Sequence, residues 1–204
     1  MGKRSLPNWC CGAKKAFVDV GNMHMLEYLI KEYELKHVAE IGVFTGGLTG
    51  RVIKGCKGII EKYYCVDPWK PYPENYDRTP RPEELTNEYW EKIYNRIAGM
   101  ARNNSEISII RDTSLNAVNS IDDFSLDLVY IDAIHDEENG LADIIAWMDK
   151  VKDGGFVSGH DYHARFHGMI KAIDKVFGMD VEVLQDSNWF VRMISDKREL
   201  YKPA

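Results

Sequence analysis

The sequence predicts a single α/β domain whose doubly wound, mostly parallel sheet carries helices on both faces. Apolar runs alternate with amphipathic stretches from about residue 22 to residue 194, which is typical of such a sheet. A short connection at residues 186–188 joins the last two strand-like segments, so an antiparallel pair is expected at the C-terminus. A chain of 204 residues buries one core and leaves little room for a second domain.

Each predicted element follows from its local pattern. Strands are expected at 37–41, 62–66, 107–110, 126–131, 156–159, 181–184 and 189–194. Helices are expected at 22–35, opened by Asn22, and at 48–54, 83–101, 137–151 and 165–177, while 152–155 reads as a turn. Residues 1–21 are taken as an N-terminal extension. Residues 68–82, rich in Pro and containing Trp69, Tyr72 and Tyr76, form either a lid or a rigid surface loop.

Composition narrows the function. The net charge of −6 disfavours a nucleic-acid partner, because such proteins present a concentrated basic field. No run approaches the roughly 18 apolar residues that span a bilayer, so no membrane association is expected. Four cysteines without paired spacing favour reduced thiols in a cytoplasmic protein. A small-molecule substrate is expected, and the sequence leaves a homo-oligomer open.

A glycine turn and an acid mark a predicted nucleotide site. Gly42, Gly46 and Gly47 follow the first strand with the spacing Gly-x-x-x-Gly-Gly, which permits a tight turn and close approach of the backbone to a ligand. The spacing differs from the Gly-x-Gly-x-x-Gly that cradles a dinucleotide pyrophosphate, and it favours a ligand without a diphosphate. Asp67 ends the second strand and is placed to accept hydrogen bonds from a ribose. Because acids do this in NAD sites too, Asp67 alone does not identify the cofactor.

Residues 38–47 resemble the first motif of the Rossmann-like class I methyltransferases that depend on S-adenosylmethionine (SAM), and residues 66–69 resemble their second motif. The resemblance implies that Asp67 holds the ribose of SAM and that residues 112–114 flank its adenine. The cofactor-binding residues that it implies are Glu40, Gly42, Val43, Phe44, Thr45, Gly46, Gly47, Asp67, Pro68, Trp69, Asp112, Thr113, Ser114 and Asp132.

A cluster of ionisable residues is expected where the fourth and fifth parallel strands end. Asp132 and His135 follow one strand, and His160 and Asp161 follow the other. Such a cluster is costly to assemble unless a cation or a proton-transfer task compensates the charges. These segments resemble the small O-methyltransferases related to macrocin O-methyltransferase and the cephalosporin hydroxylase-like proteins. The resemblance implies a divalent metal held by Asp132 and Asp161, and a catalytic base at His135 beside a catalytic Asp132.

The metal stays open at this level because His160 stands where the relatives carry the first acid of a pair. Magnesium prefers oxygen ligands, whereas imidazole suits zinc, iron, manganese or nickel. Either Asp132 and Asp161 hold Mg²⁺, or a transition metal also uses His160, or no metal binds. An Asp at a strand end also has a purely structural use, since it can cap the next helix, as Asp136 is placed to do.

The main expectation is therefore O-methylation of a hydroxyl on a small molecule such as a sugar or a secondary metabolite, with SAM as methyl donor. Two alternatives remain at this level. One is an oxidoreductase that uses the same sheet for NAD, which the glycine spacing disfavours. The other is a non-catalytic SAM-binding module, which the ionisable cluster disfavours.

Overall fold

The computed structural model describes residues 24–71, 82–184 and 186–201, and every structural statement below concerns these residues. Three predictions lie outside them: the N-terminal extension 1–21, the opening of the first helix by Asn22, and the part of the Pro-rich loop that contains Tyr72 and Tyr76. Within the described residues, no helix is long and apolar enough to cross a membrane.

The described strands form one mixed sheet of seven, in the order β3-β2-β1-β4-β5-β7-β6. The strands are β1 His37–Ile41, β2 Lys62–Val66, β3 Ile107–Ile110, β4 Leu126–Ile131, β5 Val151–Gly159, β6 Glu182–Val183 and β7 Trp189–Arg192. β1 to β5 pair in parallel, and β7 runs antiparallel to both β5 and β6. The predicted doubly wound sheet with an antiparallel C-terminal pair is confirmed.

Helices cover both faces of the sheet. They are α1 Met25–Tyr33, α2 Gly47–Gly55, α3 Asn87–Asn103, α4 Ser114–Ala117, α5 Glu137–Met148, α6 His167–Phe177 and α7 Ser195–Arg198. Because successive strand residues point to opposite faces, Val38 and Leu128 pack in one apolar cluster with α1, α2 and α3. Their neighbours Ala39 and Val129 pack in a second cluster with α5 and α6. Both faces of the central strands are therefore buried.

The first and third helices begin later than predicted, for local reasons. α1 starts at Met25 because His24 caps it: its Nδ1 accepts from Leu26 N, and the Glu27 carboxylate returns to His24 N. The predicted helix 83–101 is divided, since Pro82–Leu85 form a separate 3₁₀ turn. Thr86 then caps α3 by accepting from the N–H of Tyr89.

The fifth strand and a short helix differ from the predictions as well. β5 begins at Val151, so residues 152–155 are part of the strand rather than a turn before it. The two glycines made these residues look like a turn. In the structure they form an irregular part of the strand, where Gly154 has a positive φ and the pairing register shifts between Leu126 and Leu128. α4 was not predicted, because four residues are too few to establish helical periodicity.

Candidate functional site

The glycine turn after β1 is shaped by its contact with the end of β4. Gly42 has φ of 90°, and a Cβ built there lies 2.1 Å from the carbonyl oxygen of Asp132. Asp132 N in turn donates to Ile41 O at 2.8 Å. Only glycine fits this conformation and this approach. The turn therefore holds Asp132 directly beside the predicted nucleotide site.

The other two glycines of the turn differ from each other. Gly46 has φ of 74°, and a Cβ there meets Ile97 Cδ1 of α3 at 2.3 Å, so this residue serves the packing of α3. Gly47 begins α2, and a Cβ there meets nothing within 4 Å. Of the three, Gly47 is the glycine whose surface is open to a ligand. Within the rest of the turn, Val43 is buried while Phe44 and Thr45 are half-buried.

Asp67 ties the two loops of the predicted nucleotide site together. Its Oδ2 accepts from Phe44 N at 2.9 Å in the glycine turn, and its Oδ1 accepts from Trp69 N at 2.7 Å. Burial raises the pKa of Asp67 to about 6, although these N–H groups favour the ionised form. The structure places this carboxylate where the turn and the β2 loop meet, and its contact with a ribose stays a prediction.

Trp69 lies in the core rather than at a ligand surface. Its side chain is 1% exposed, its Nε1 donates to Phe44 O at 3.0 Å, and its ring centroid lies 5.5 Å from that of Tyr94. The ring thus packs the loop that follows β2 against the body of the protein. Pro68 beside it is half-buried.

Glu40, two residues before Gly42, is a buried carboxyl that links β1 to its neighbours. The side chain is 2% exposed, and its Oε2 accepts from Thr49 Oγ1 at 2.6 Å and from the Tyr63 hydroxyl at 2.7 Å. Burial raises the pKa of Glu40 to about 8, so the group is protonated at neutral pH. These contacts join β1 to β2 and α2, whereas the predicted contact of Glu40 with SAM stays a prediction.

The predicted adenine segment is held by two sets of hydrogen bonds. Asp112 Oδ1 accepts from Thr113 N at 2.7 Å, which shapes the turn that opens α4. Ser114 Oγ accepts from Trp147 Nε1 at 2.8 Å and donates to the buried Asp143, whose pKa burial raises to about 6. The Ser114 hydroxyl is therefore engaged with α5, while Asp112 and Thr113 are exposed.

Asp132, His135 and Asp161 converge where β4 and β5 end. One oxygen or nitrogen atom from each lies within 4.8 Å of the others. His135 Nε2 is 2.6 Å from Asp161 Oδ2 and 3.7 Å from Asp132 Oδ1. The side chains of His135 and Asp161 are 16% and 9% exposed. The sequence placed these residues at adjoining strand ends, and the structure brings them into contact.

His160 lies outside this group of three. Its Nδ1 is 2.9 Å from Asp161 Oδ1, and its Nε2 is 3.1 Å from Asp186 O. The structure thus brings His135, rather than the predicted ligand His160, to the two carboxylates. The physical reason is that His160 and Asp161 follow the end of β5, where the positive φ of Asp161 turns the backbone and the two side chains project in different directions. His160 instead contacts the second oxygen of Asp161, outside the group of three.

Asp161 and His160 stabilise each other's charged forms. Burial disfavours an ionised Asp161, but the contacts with His135 and His160 outweigh it and hold the pKa of Asp161 well below its usual range. The hydrogen bond to Asp161 in turn raises the pKa of His160. Asp161 therefore stays a carboxylate throughout the neutral range, held between two imidazoles.

Three of the six non-glycine residues with positive φ in the described part of the chain lie at this edge of the sheet. Phe44, Trp69 and Asp161 have φ of 50°, 42° and 65°, which non-glycine residues rarely adopt. Such strain persists only where the surrounding structure imposes it, and it is common at functional sites. The three residues belong to the glycine turn, the β2 loop and the β5 end, so the strain marks both halves of the site.

A cavity of about 490 Å³ opens beside His135. Asp136 on its wall caps α5 by accepting from Asn139 N at 2.8 Å, which confirms the predicted cap. Phe166 contributes another wall, with its ring centroid 4.6 Å from that of His135. Arg165 and Phe166 are not among the predicted site residues, although their position after β5, at the carboxyl edge of the sheet, is a usable signal. The residues that line the cavity are His135, Asp136, Glu137, Arg165, Phe166, His167 and Gly168.

Solved structures share this fold. TomG from Streptomyces achromogenes, an O-methyltransferase in complex with SAM, is 13% identical, with a TM-score of 0.55 over 83% of this chain and 78% of its own. A proposed O-methyltransferase from Klebsiella pneumoniae is 12% identical, with a TM-score of 0.57 over 87% and 84%. Rv0187 from MTB, solved with a cofactor bound, is 18% identical, with a TM-score of 0.54 over 82% and 78%. The fold is that of the class I SAM-dependent methyltransferases.

The family follows from the sequence itself. The model of a family described as a methyltransferase domain matches residues 39–162, and the chain belongs to this family. The match confirms the resemblance carried by residues 38–47 and 66–69. A curated relative, the uncharacterized protein y4gI of Sinorhizobium fredii, is 33% identical over 89 residues, which are 42% of this chain and 10% of the relative. The chain thus spans about a tenth of the length of that relative.

Proposed function

We propose that the protein transfers the methyl group of SAM to a hydroxyl oxygen of a small molecule. The observation that carries this proposal is the contact between the glycine turn and the end of β4. It places the Asp132–His135–Asp161 cluster beside the predicted methyl-donor site. A methyl transfer needs the donor and the acceptor oxygen in line and a route for the acceptor proton, and these two neighbouring sites can supply both.

On the donor side, the protein acts by holding SAM in place. Asp67 accepts hydrogen bonds from the ribose, the open backbone at Gly47 lies along the methionine part, and residues 112–114 border the adenine. Asp67 is already fixed by Phe44 N and Trp69 N, so little reorganisation accompanies binding. Alignment of the two reactants is expected to be the larger part of catalysis.

On the acceptor side, we assign proton transfer to His135. Its Nε2 donates to the Asp161 carboxylate at 2.6 Å and lies 3.7 Å from Asp132, so the two carboxylates stabilise the imidazolium that forms when the other ring nitrogen, Nδ1, takes the acceptor's proton. A positioned base of this kind contributes on the order of 10²- to 10⁴-fold. Asp132, next to the glycine turn, orients the acceptor hydroxyl toward the methyl group.

The same three residues fit a divalent cation, which is a second candidate mechanism. The donor set of two carboxylates and one imidazole lies within 4.8 Å, and it suits manganese, iron or zinc better than magnesium, whose preferred ligands are oxygens. A bound cation would acidify the acceptor hydroxyl and fix its position. In that arrangement Nε2 of His135 would be a ligand and Nδ1 would carry the ring proton, so the imidazole could not act as a base and the two mechanisms are distinguishable.

The alternatives are less well supported. The methyltransferase family match over residues 39–162 and the absence of a diphosphate-type glycine spacing disfavour NAD oxidoreduction. The contact of His135 with two carboxylates disfavours a module that only binds SAM. We also propose that the protein works on small molecules, in keeping with its net charge of −6. Its four cysteines without paired spacing favour the cytoplasm, where thiols stay reduced.

Calorimetric titration tests the proposal. SAM and S-adenosylhomocysteine are added to the wild type, with and without Mn²⁺ or Mg²⁺, and radiolabelled methyl transfer to a panel of hydroxylated molecules is measured in parallel. We expect micromolar binding of both nucleosides. A protein that binds neither contradicts the proposal.

Two variants then separate the mechanisms. Asp132→Asn removes a carboxylate of the cluster, and Asp123→Asn removes an exposed one that pairs with Lys150 far from it. Heat of metal binding that is present in the wild type and Asp123→Asn but absent in Asp132→Asn supports the metal mechanism. Methyl transfer that persists in the presence of a chelator and is lost when His135 is replaced supports the mechanism in which His135 is the base.

A further inference from the structure

One wall of the cavity beside His135 has no role in the methyl transfer proposed above. Residues 165–168 form this wall, and its volume of about 490 Å³ lies within the range typical of small-molecule sites. Because His135 lines the cavity, an acceptor seated in it can present a hydroxyl to the Asp132–His135–Asp161 cluster. The residues opposite His135 are then the ones that select the acceptor.

Packing holds this wall in place. A Cβ built on Gly168 lies 2.6 Å from Glu137 N, so the first turn of α6 presses against the first turn of α5. Phe166 N donates to His163 O at 2.8 Å, and the Tyr162 hydroxyl donates to Asp174 Oδ1 at 2.9 Å. The backbone on both sides of Arg165 is therefore fixed, which makes the wall a built surface rather than a loose loop.

The charged residues that line the cavity differ in whether they already have a partner of opposite charge or a hydrogen-bond donor within the protein. Asp136 accepts from Asn139 with both oxygens, and Glu137 Oε2 lies 3.6 Å from Lys171 Nζ. Arg165 has its guanidinium carbon 5.7 Å from the centroid of the Phe166 ring. In the part of the chain that the structure describes, no carboxylate pairs with it. The cavity thus offers a cation, while its acids are engaged with the protein.

We propose that the acceptor carries an anionic group in addition to its hydroxyl, and that Arg165 binds this group at the mouth of the His135 cavity. The inference rests on the proposed methyl transfer. The planar guanidinium donates two parallel hydrogen bonds to a carboxylate or a phosphate, and it favours these over neutral groups. Arg165 is thereby a specificity-determining residue: it orients the acceptor so that its hydroxyl faces His135.

Matched probes test the inference. The sugar set is glucose, glucuronate and glucose phosphate, and the catechol set is protocatechuyl alcohol and protocatechuate. Each is titrated calorimetrically into protein saturated with S-adenosylhomocysteine, and methyl transfer from SAM is measured for each. We expect the wild type to bind a charged member about tenfold more tightly than its neutral counterpart, as a charge-assisted hydrogen bond allows. The preferred member tells whether the anion is a carboxylate or a phosphate.

Three variants assign that preference. Arg165→Gln keeps a polar hydrogen-bonding group on a shorter side chain, removes the charge, and should bring the ratio of charged to neutral affinity close to one. Arg165→Lys should keep part of the ratio. Lys175→Gln, which removes an exposed cation further along α6, should keep all of it. A wild type that binds no charged probe more tightly than its neutral counterpart, or an unchanged ratio in Arg165→Gln, overturns the inference. Binding of S-adenosylhomocysteine and methylation of the neutral probes report separately on the proposed function.

Discussion

The two halves of the site use their polar side chains differently. In the donor half, at the ends of β1, β2 and β3, the carboxylates bind the protein's own N–H and O–H groups. Asp67 holds Phe44 and Trp69, and Glu40 holds Thr49 and Tyr63. In the acceptor half, at the ends of β4 and β5, ionisable atoms face one another across less than 4.8 Å.

This difference separates affinity from reactivity. The donor half is a rigid scaffold whose backbone shape is proposed to bind SAM, so changes there should alter stability, cofactor affinity or both. The acceptor half concentrates charge that the fold does not need for its core, so changes there should alter turnover while SAM binding persists. Each of the following predictions tests that division.

The largest effect is expected from Asp161→Asn. Asparagine tolerates the positive φ of this position and has the same size, so the fold should be kept. Without the carboxylate, the imidazolium of His135 loses its partner at 2.6 Å, and kcat should fall by about 100-fold or more. Steady-state kinetics measure turnover in the acceptor half, and calorimetry with S-adenosylhomocysteine measures cofactor affinity in the donor half. Unchanged kcat, or an equal loss in the control Asp123→Asn, would contradict the assignment.

Two glycine variants should separate folding stability from SAM affinity within the donor half. Gly42→Ala puts a Cβ 2.1 Å from Asp132 O at a positive φ, so the free energy of unfolding should fall by more than about 2 kcal/mol. Gly47→Ala meets no protein atom within 4 Å, so stability should hold while SAM affinity drops roughly tenfold if the ligand lies there. Chemical denaturation and calorimetry check both. Full SAM affinity in Gly47→Ala would show that the ligand does not lie against Gly47.

The affinity for SAM should fall as the pH drops below about 6. Burial raises the pKa of Asp67 to about 6, and only its ionised form accepts from both ribose hydroxyls. Binding is therefore complete above this pKa and weakens by up to about tenfold per pH unit below it. Glu40, the neighbouring carboxyl with a pKa raised to about 8, stays protonated in this range. In Asp67→Asn the affinity should be lower and independent of pH between 5 and 7; a retained slope would assign the titration elsewhere.

The smallest effect is expected from Ser114→Ala. The substitution leaves Trp147 Nε1 and the buried Asp143 without the hydroxyl that joins them, which should cost about 1–3 kcal/mol of unfolding free energy. Ser125→Ala, which removes a hydroxyl bonded to Asp122 O in an exposed turn, should cost much less. Denaturant melts compare the two. Equal losses would mean that the Ser114 link adds nothing beyond a surface hydrogen bond.

Much of the scaffold was predictable because it depends on local patterns. Alternating apolar segments predicted where the strands lie along the chain, and the helix-capping role of Asp136 followed from its place before an amphipathic run. The errors fell where the local signal is ambiguous. Thr86 interrupts a helical pattern by capping, and Gly154 made the start of β5 look like a turn.

The sequence by itself determined the fold class, the methyltransferase family and the strand ends that carry the site, because burial periodicity and turn residues act over a few positions. Only the tertiary structure decided that His135 rather than His160 meets the two carboxylates, and that Trp69 is buried. Side-chain direction at a strand end depends on backbone dihedrals, such as the positive φ of Asp161, and on how neighbouring strands and helices pack. These are contacts between segments far apart in the chain, which local patterns do not encode.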